Sequence, residues 1–240
     1  MSEEANYKYT KFIDLPGHTA DLYPNNAFSF SHCLSDEPLL SVNALIEAAD
    51  ELPPSMIECV SHQAGLPLSD IIKDIRTSSS WLIFRNLEQL PRYEKLMNII
   101  FQDLTSSGLL KKGDFHDPMC FVFLSSPLVN TPFHIDPEHN FLIQITGTKI
   151  VRINNHQQNP IITDMEISDF YKDEVGYVLN FDESYDTRLE SFHLDASTGV
   201  YIPVASPHLV NNGTEVSVSF SITFRTGMSE KHRLKYLADN

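Results

Sequence analysis

Basic residues are scarce in this chain of 240 residues, because 17 Lys and Arg stand against 32 Asp and Glu and the formal net charge is -15. A surface of this sign repels phosphate backbones and anionic membranes. We therefore expect neither nucleic acid nor a membrane as a partner. No apolar run approaches the length of a bilayer span, and the N-terminus MSEEANYKYT is acidic and polar where a signal peptide is basic and then apolar. These absences predict a cytoplasmic protein.

Cysteines and linker sequences are also scarce. Cys33, Cys59 and Cys120 are far apart, odd in number and without a C-x-x-C pair. This pattern predicts buried thiols in a reducing compartment. No Gly/Ser-rich or Pro-rich linker and no internal repeat divides the sequence. We therefore interpret residues 1–240 as a single domain.

The N-terminal region, residues 1–118, has apolar residues at helical spacing. Two such stretches cover 38–50 and 67–75, and a stronger one runs from Pro91 to a stop at Gly108. The short apolar stretch 81–87 is typical of one buried strand. The region is predicted to be mostly helical and to cover the remainder of the fold.

Residues 119–226 have the short β-branched and aromatic runs of a β-sandwich or barrel. Predicted strands lie near 120–125, 140–146, 148–154, 191–195, 200–204 and 215–225. In the last of these, Val216 to Phe224 alternates with Ser217 to Thr223, which indicates one packed face and one face directed at something polar. An acidic insertion occupies 155–190, and a short C-terminal helix is expected over 227–240.

The segment around His134 carries the chemistry that the sequence suggests. In an extended segment His134 and Asp136 project to the same side and can bind one ion together. A third ligand should come from another strand, and His208, after an apolar strand and a turn, is the candidate. Two imidazoles and a carboxylate that leave positions open are typical of non-haem Fe(II) oxygenases. No ligand role is assigned to the other histidines considered, which are His116, His139, His156 and His193.

Two blocks of the sequence resemble a known family. The first is Thr131-Pro-Phe-His134-Ile-Asp136 with Asn140-Phe and Gln144-Ile-Thr-Gly147-Thr-Lys149. The second is Gly199-Val-Tyr-Ile-Pro203, then Pro207-His208 and the strand from Val216 to Arg225. Together they are similar to the JmjC, cupin-like oxygenases that depend on Fe(II) and 2-oxoglutarate, and in particular to the asparaginyl-hydroxylase type, typified by factor inhibiting HIF.

The resemblance implies a mainly β fold of the α+β kind, with a double-stranded β-helix (jelly-roll) core, N-terminal covering helices and a short C-terminal helix. It implies His134, Asp136 and His208 as catalytic iron ligands and O₂ as co-substrate. It further implies contacts to 2-oxoglutarate from Lys149 and Thr131, with Asn140 and Ser219 beside the cofactor. Arg225 on a late strand is a second candidate anchor for the cofactor carboxylate, ranked behind Lys149.

The sequence leaves the substrate open. Hydroxylation of an Asn, Asp, His or other side chain in a protein or peptide is the first expectation. The alternatives are an oxygenase acting on a free amino acid or small natural product, and a non-catalytic metal-binding cupin regulator. The acidic insertion could be a lid that favours cationic substrates. The segment 229–237 could be a dimerisation helix, so a homodimer is also an expectation.

Overall fold

The computed structural model describes residues 11–60, 66–173 and 177–238. Within them the chain forms two antiparallel sheets. The strands are β1 (Ile13–Asp14), β2 (Phe28–His32), β3 (Ile57–Val60), β4 (Trp81–Phe84), β5 (Phe115–Ser125), β6 (Asn130–Ile135), β7 (His139–Thr146), β8 (Lys149–Asn154), β9 (Tyr177–Val178), β10 (Leu189–Leu194), β11 (Thr198–Ile202), β12 (His208–Asn212) and β13 (Ser217–Thr226).

The two sheets have the strand orders of a jelly roll. The larger sheet has the order β1-β2-β11-β7-β13-β5-β4-β3, and the smaller has the order β10-β8-β12-β6-β9. Neighbouring strands in the core are far apart in sequence, so chain segments cross repeatedly between the sheets. The mainly β jelly-roll fold expected from the sequence is confirmed.

Helices cover the outer faces of both sheets. They are α1 (Thr19–Leu22), α2 (Val42–Glu51), α3 (Leu68–Lys73), α4 (Pro91–Ser106), α5 (Asp164–Asp173) and α6 (Gly227–Ala238), with short 3-10 turns between some of them. Pro91 stands at the first turn of α4, where its missing N–H costs nothing. Gly108, with φ of 80°, follows the end of that helix. The three strongest helices of the N-terminal region therefore lie where the sequence predicts them.

Three apolar clusters hold these layers together. The largest joins α2, α3 and α4 to the outer face of the larger sheet. A second fills the space between the sheets, with Leu142, Val151 and Val210 among its members. The third joins α5 and α6 to the outer face of the smaller sheet through residues such as Phe133 and Ile167. The interior between the sheets is thus partly apolar and partly, near β6 and β13, a cavity.

Strand β13 confirms the alternation seen in the sequence. Val218, Phe220, Ile222 and Phe224 belong to the outer apolar cluster. The other face points between the sheets, where the Ser219 hydroxyl donates to Gln144 Oε1 at 2.6 Å and the Ser221 hydroxyl donates to Asn140 Oδ1 at 2.6 Å. The polar face of this strand therefore belongs to the interior of the jelly roll.

Some expectations need correction. The N-terminal region contains β1, β2 and β3 besides the one predicted strand, because short strands added to the edges of a large sheet need little periodicity of their own. Cys120 is buried as expected, whereas Cys33 and Cys59 are exposed, since Cys33 follows β2 and Cys59 lies on the edge strand β3.

Among the described residues no helix combines the length and apolar character needed to cross a bilayer.

Candidate metal and cofactor site

Strand β6 and the residue just beyond it provide two of the three predicted ligands. His208 pairs with His134 and Val210 pairs with Thr131, so the four residues 131–134 of β6 lie opposite the three residues 208–210 of β12. This β-bulge changes the parity of β6. As a result, Thr131 and His134, which are three residues apart, face the same side of the sheet. Asp136 follows the end of the strand, and its carbonyl accepts a hydrogen bond from the Ala205 N–H at 2.9 Å.

The three predicted ligands converge. His208 lies directly across from His134 on β12. The Asp136 Oδ2 atom is 4.0 Å from His134 Nε2 and 3.6 Å from His208 Nε2. One ligand atom from each residue lies within 4.8 Å of the others, and this is the one such group of three among the described residues. The spacing of the sequence motif therefore corresponds to a real cluster.

The hydrogen bonds of the two imidazoles prepare them for a metal. The His134 Nδ1 atom is 2.8 Å from the Pro132 carbonyl, and the His208 Nδ1 atom is 2.9 Å from the Ser206 carbonyl. A carbonyl only accepts, so each Nδ1 carries the proton and each Nε2 presents its lone pair to the centre. Burial, and then the nearby His134, lower the pKa of His208 to about 4, although Asp136 opposes the shift. His208 is therefore neutral at neutral pH, as a ligand must be.

The donor set fits a divalent transition metal. Ligands at right angles around one ion, each about 2.1 Å from it, lie about 3 Å apart. The separations here are slightly wider and lie within reach of small side-chain rotations. Two imidazoles and one carboxylate suit Fe(II), and they leave coordination positions on the cavity side. His134 and Asp136 line the cavity, while His208 is 2% exposed and lies beneath them.

Lys149 is buried, although it stands at the very start of strand β8. Its side chain shares the inward face of β8 with Val151 and Ile153 and is 6% exposed. Burial lowers its pKa to about 7. No carboxylate of the described residues lies within ion-pair distance of its ammonium group. Gly147, with φ of 73°, forms the turn that starts β8, and a Cβ there would lie 2.4 Å from the Val216 carbonyl.

The structure separates Lys149 from the main cavity. Thr131, His134, Asp136 and Asn140 all line a cavity of about 490 Å³ between the sheets. Lys149 lines a second cavity of about 360 Å³ near the end of β8. In the sheet, Lys149 pairs with Asn212, four residues beyond His208 on β12. Thr131 pairs with Val210, which lies midway along β12 between His208 and Asn212.

Asn140 and Ser219, the other residues expected beside the cofactor, differ in position. Asn140 lines the main cavity, and its side-chain oxygen accepts the hydrogen bond from Ser221. Ser219 is 0% exposed, donates to Gln144 and is not part of the cavity wall. Thr223, four residues further along β13, lines the cavity wall where Ser219 was expected. Thr223 pairs with Asn140, and its buried hydroxyl oxygen has no hydrogen-bond partner among the described residues.

Sequence reasoning missed Thr223, although a signal was present. Thr223 shares the polar face of β13 with Ser219. The alternation of side chains along the strand therefore indicates four polar residues that could reach the cavity, and it does not distinguish among them. The position along the strand depends on the register against β7, where an irregularity occurs between Val218 and Ser219. Register irregularities of this kind leave no mark in a single sequence.

Aromatic and charged side chains form the rest of the cavity wall. The apolar part includes Trp81, Phe121 and Phe123 from the larger sheet and Phe170 and Tyr171 from α5. Among the described residues, two arginine–glutamate ion pairs lie in the wall. Arg85 pairs with Glu58, and Arg225 Nη2 lies 2.9 Å from Glu138 Oε1. Arg225 is therefore held by a carboxylate of the protein, which supports its ranking behind Lys149 as a cofactor anchor.

The acidic insertion contributes aromatic rather than acidic groups to the cavity. Glu166 accepts hydrogen bonds from Thr163 at the start of α5, Asp164 accepts one from the Tyr236 hydroxyl, and Asp169 lies 3.9 Å from Lys172. None of these three carboxylates lines the cavity. The structure gives them local roles in the helix, and this argues against a lid that selects cationic substrates through them.

The four histidines without a predicted ligand role lie outside the cluster of three. His139 is the most buried of them, with Nδ1 at 2.7 Å from the Tyr201 hydroxyl and Nε2 at 3.0 Å from the Thr226 hydroxyl. Burial lowers its pKa to about 4. His139 is therefore a hydrogen-bonded core residue.

Comparison with solved structures confirms the fold. The structure of E. coli YcfD matches with a TM-score of 0.61 and 16% sequence identity, over 96% of this chain and 61% of that one. The chain shares its fold with YcfD. A second structure, of YcfD described as a ribosomal oxygenase in complex with cobalt and 2-oxoglutarate, matches with a TM-score of 0.57 and 18% identity, over 95% and 59% of the two chains.

The match to YcfD is limited in sequence identity and in the length of the YcfD chain that it covers. A further YcfD structure, with cobalt and succinic acid, has a TM-score of 0.55 and 17% identity. The present chain spans about three fifths of the length of these YcfD chains. Comparison of the sequence with family profiles and with curated proteins gives no match. At such identities the likeness establishes the jelly-roll fold, and activity has to be argued from the site.

Proposed function

We propose that the chain is an Fe(II)- and 2-oxoglutarate-dependent oxygenase that hydroxylates a side chain of a protein or peptide. The observation that carries the proposal is the convergence of His134, Asp136 and His208 on the inner face of a jelly roll. Iron bound there would supply the activation of O₂, coupled to the oxidative decarboxylation of 2-oxoglutarate. The chain's own residues would hold the metal, orient the co-substrate and exclude water.

The arrangement of the smaller sheet suits a dicarboxylate. The four-residue offset between His208 and Asn212, the partner of Lys149, corresponds to about 13 Å along the strand. A five-carbon dicarboxylate and the side chain of Lys149 together can bridge this distance. Thr131, which pairs with Val210 halfway along, would donate a hydrogen bond to the carboxylate. A carboxylate at Lys149 would also compensate a buried ammonium group that is otherwise costly.

The cavity supports a protein or peptide substrate. Its volume of about 490 Å³ exceeds what the co-substrate alone needs, and its aromatic wall extends from β5 to the edge region of the larger sheet. The cavity lies near β9, an edge strand that pairs with β6 at His134 and Ile135. YcfD, which shares this fold, is described as a ribosomal oxygenase. These observations favour a polypeptide side chain over a small free metabolite.

The quaternary and cellular expectations belong to the same proposal. Met228 and Leu234 on α6 are 42% and 56% exposed, which is consistent with a homodimer formed through this helix. A cytoplasmic location, with neither nucleic acid nor membranes as partners, is part of the proposal and is supported by the net charge of -15.

Anaerobic titration tests the proposal. Fe(II) and then 2-oxoglutarate are added to the full chain, and we expect the weak visible charge-transfer band of the chelate, followed on exposure to O₂ by succinate. Asp136→Ala should lose both signals, whereas His18→Ala, which changes an exposed histidine distant in sequence from the site, should keep them. Metal binding without 2-oxoglutarate consumption would instead support the non-catalytic cupin regulator.

A further inference from the structure

The three ligands differ in what orients them. His134 and His208 are each fixed by a hydrogen bond from Nδ1 to a carbonyl two residues earlier in the chain. The Asp136 carboxylate accepts no hydrogen bond from an N–H or O–H donor of the described residues. Its direction therefore depends on the backbone segment that carries it. Supporting groups of this kind, rather than the ligands alone, set the affinity of a metal site.

The segment that carries Asp136 is held at two points. The first point is at Asp136 itself, whose backbone carbonyl accepts the hydrogen bond from the Ala205 N–H. Two residues later, Glu138 is anchored by Arg225, whose Nη2 and Nε atoms lie 2.9 Å and 3.3 Å from Glu138 Oε1. Pro137 joins these points and restricts the backbone between them. A change at Glu138 is therefore transmitted to Asp136 through a short, stiff connection.

Among the described residues, the pair of Arg225 and Glu138 is better enclosed than the other ion pairs formed by Lys or Arg. The Glu138 side chain is 13% exposed and that of Arg225 is 28% exposed, while the second cavity pair, Arg85 with Glu58, is 43% exposed on both sides. Solvent screening is weaker for the enclosed pair, so its geometry is more firmly fixed. Arg225 Nη1 also lies 3.7 Å from Glu230 on α6.

We propose that Arg225 is a positioning residue for the metal site, which holds Glu138 and through it the direction of the Asp136 carboxylate. The inference rests on the proposed function only in taking His134, Asp136 and His208 as metal ligands. It assigns Arg225 a role other than anchoring the cofactor carboxylate. Through Glu230 the same guanidinium connects α6 to the metal site, so the C-terminal helix supports the site as well as covering the smaller sheet.

Co(II) binding to the full chain, in the absence of 2-oxoglutarate, tests the inference. Arg225→Met should weaken Co(II) affinity by roughly 10- to 100-fold, the range expected when a group that orients a ligand is removed. Its Co(II) absorption spectrum should also change, because a displaced carboxylate alters the coordination geometry. Arg225→Lys, which keeps the charge but cannot form the two-pronged contact, should recover part of the affinity.

Arg85→Met is the matched control, because Arg85 also lines the cavity in an arginine–glutamate pair but has no connection to a ligand. Its Co(II) affinity should equal that of the unmodified chain. If Arg225→Met does not fold, Glu138→Gln removes the same pair while preserving shape and should also weaken binding. Unchanged affinity in the folded variants, or equal weakening by Arg85→Met, overturns the inference. An unmodified chain that binds no Co(II) contradicts the proposed function itself.

Discussion

The Thr223 hydroxyl oxygen is a buried polar atom without a hydrogen-bond partner among the described residues, and it lies in the wall of the main cavity. A group of this kind costs free energy unless a ligand or water satisfies it. We expect Thr223→Val, which keeps the shape, to weaken 2-oxoglutarate binding to the Co(II)-loaded chain by about 5- to 10-fold, the value of one hydrogen bond. Calorimetric titration measures this.

Ser219→Ala is the comparison for that experiment. Ser219 lies on the same face of β13, but its hydroxyl is already bonded to Gln144 and lies outside the cavity wall. Its loss should lower stability and leave 2-oxoglutarate affinity unchanged. The opposite result, with Ser219→Ala weakening affinity and Thr223→Val neutral, would restore the assignment made from the sequence.

Lys149 makes stability depend on pH in a defined direction. Burial lowers its pKa from 10.5 to about 7, while the unfolded chain keeps the usual value. Between these two pH values the unfolded state binds more protons, so stability rises with pH. The destabilisation caused by burying the Lys149 ammonium group is fully present below pH 7 and is lost above about pH 10.5. In the absence of 2-oxoglutarate we expect Lys149→Met to be more stable than the unmodified chain by about 4 kcal/mol at pH 7.

Urea unfolding at pH 7 and pH 9.5 measures this difference. All other titrating groups are common to both proteins, so the change in their stability difference isolates Lys149. The difference in free energy of unfolding between Lys149→Met and the unmodified chain should be smaller at pH 9.5 than at pH 7. Lys149→Met should also bind 2-oxoglutarate more weakly. A difference of equal size at both pH values would show that the ammonium group is not desolvated as the structure indicates.

At the scale of the element, α5 begins with a capping box. The Thr163 N–H donates to Glu166 Oε2 at 2.7 Å, and the Glu166 N–H donates to the Thr163 hydroxyl at 3.2 Å. We expect Thr163→Ala to cost about 1 kcal/mol of stability and to speed amide exchange in α5. Because α5 brings Phe170 and Tyr171 to the cavity, substrate binding should weaken while Co(II) affinity stays constant.

Asp169→Asn is the control for the helix, since Asp169 belongs to the same acidic insertion but takes no part in the capping box. It should change neither exchange rates nor binding. If Asp169→Asn instead shifted the substrate preference from basic to neutral peptides, the insertion would act through its charge, as the sequence suggested.

At the scale of the whole molecule, four layers enclose the site. Helices α2, α3 and α4 cover the larger sheet, and α5 and α6 cover the smaller one. The site lies between the sheets, where His134 and His208 come from the smaller sheet and Asn140 and Thr223 come from the larger one. Both acidic insertion and C-terminal helix contribute wall residues, Tyr171 and Arg233 among them. The cavity is therefore formed by both sheets together with the helices over the smaller sheet.

The main helices, a β-rich remainder and the three candidate ligands were predictable from the sequence, because apolar periodicity and the alternating His-x-Asp pattern act over short distances along the chain. The jelly-roll class was implied by the resemblance of two sequence blocks to the JmjC, cupin-like oxygenases. The roles of Lys149, Thr131, Asn140 and the ligands in binding stay predictions. Tertiary structure alone decided that Thr131 and His134 share a face, that Thr223 rather than Ser219 reaches the cavity, and that Arg225 is bound by Glu138. These features depend on a bulge, a register and a contact between residues 87 positions apart, and such relations form only when separate strands pair.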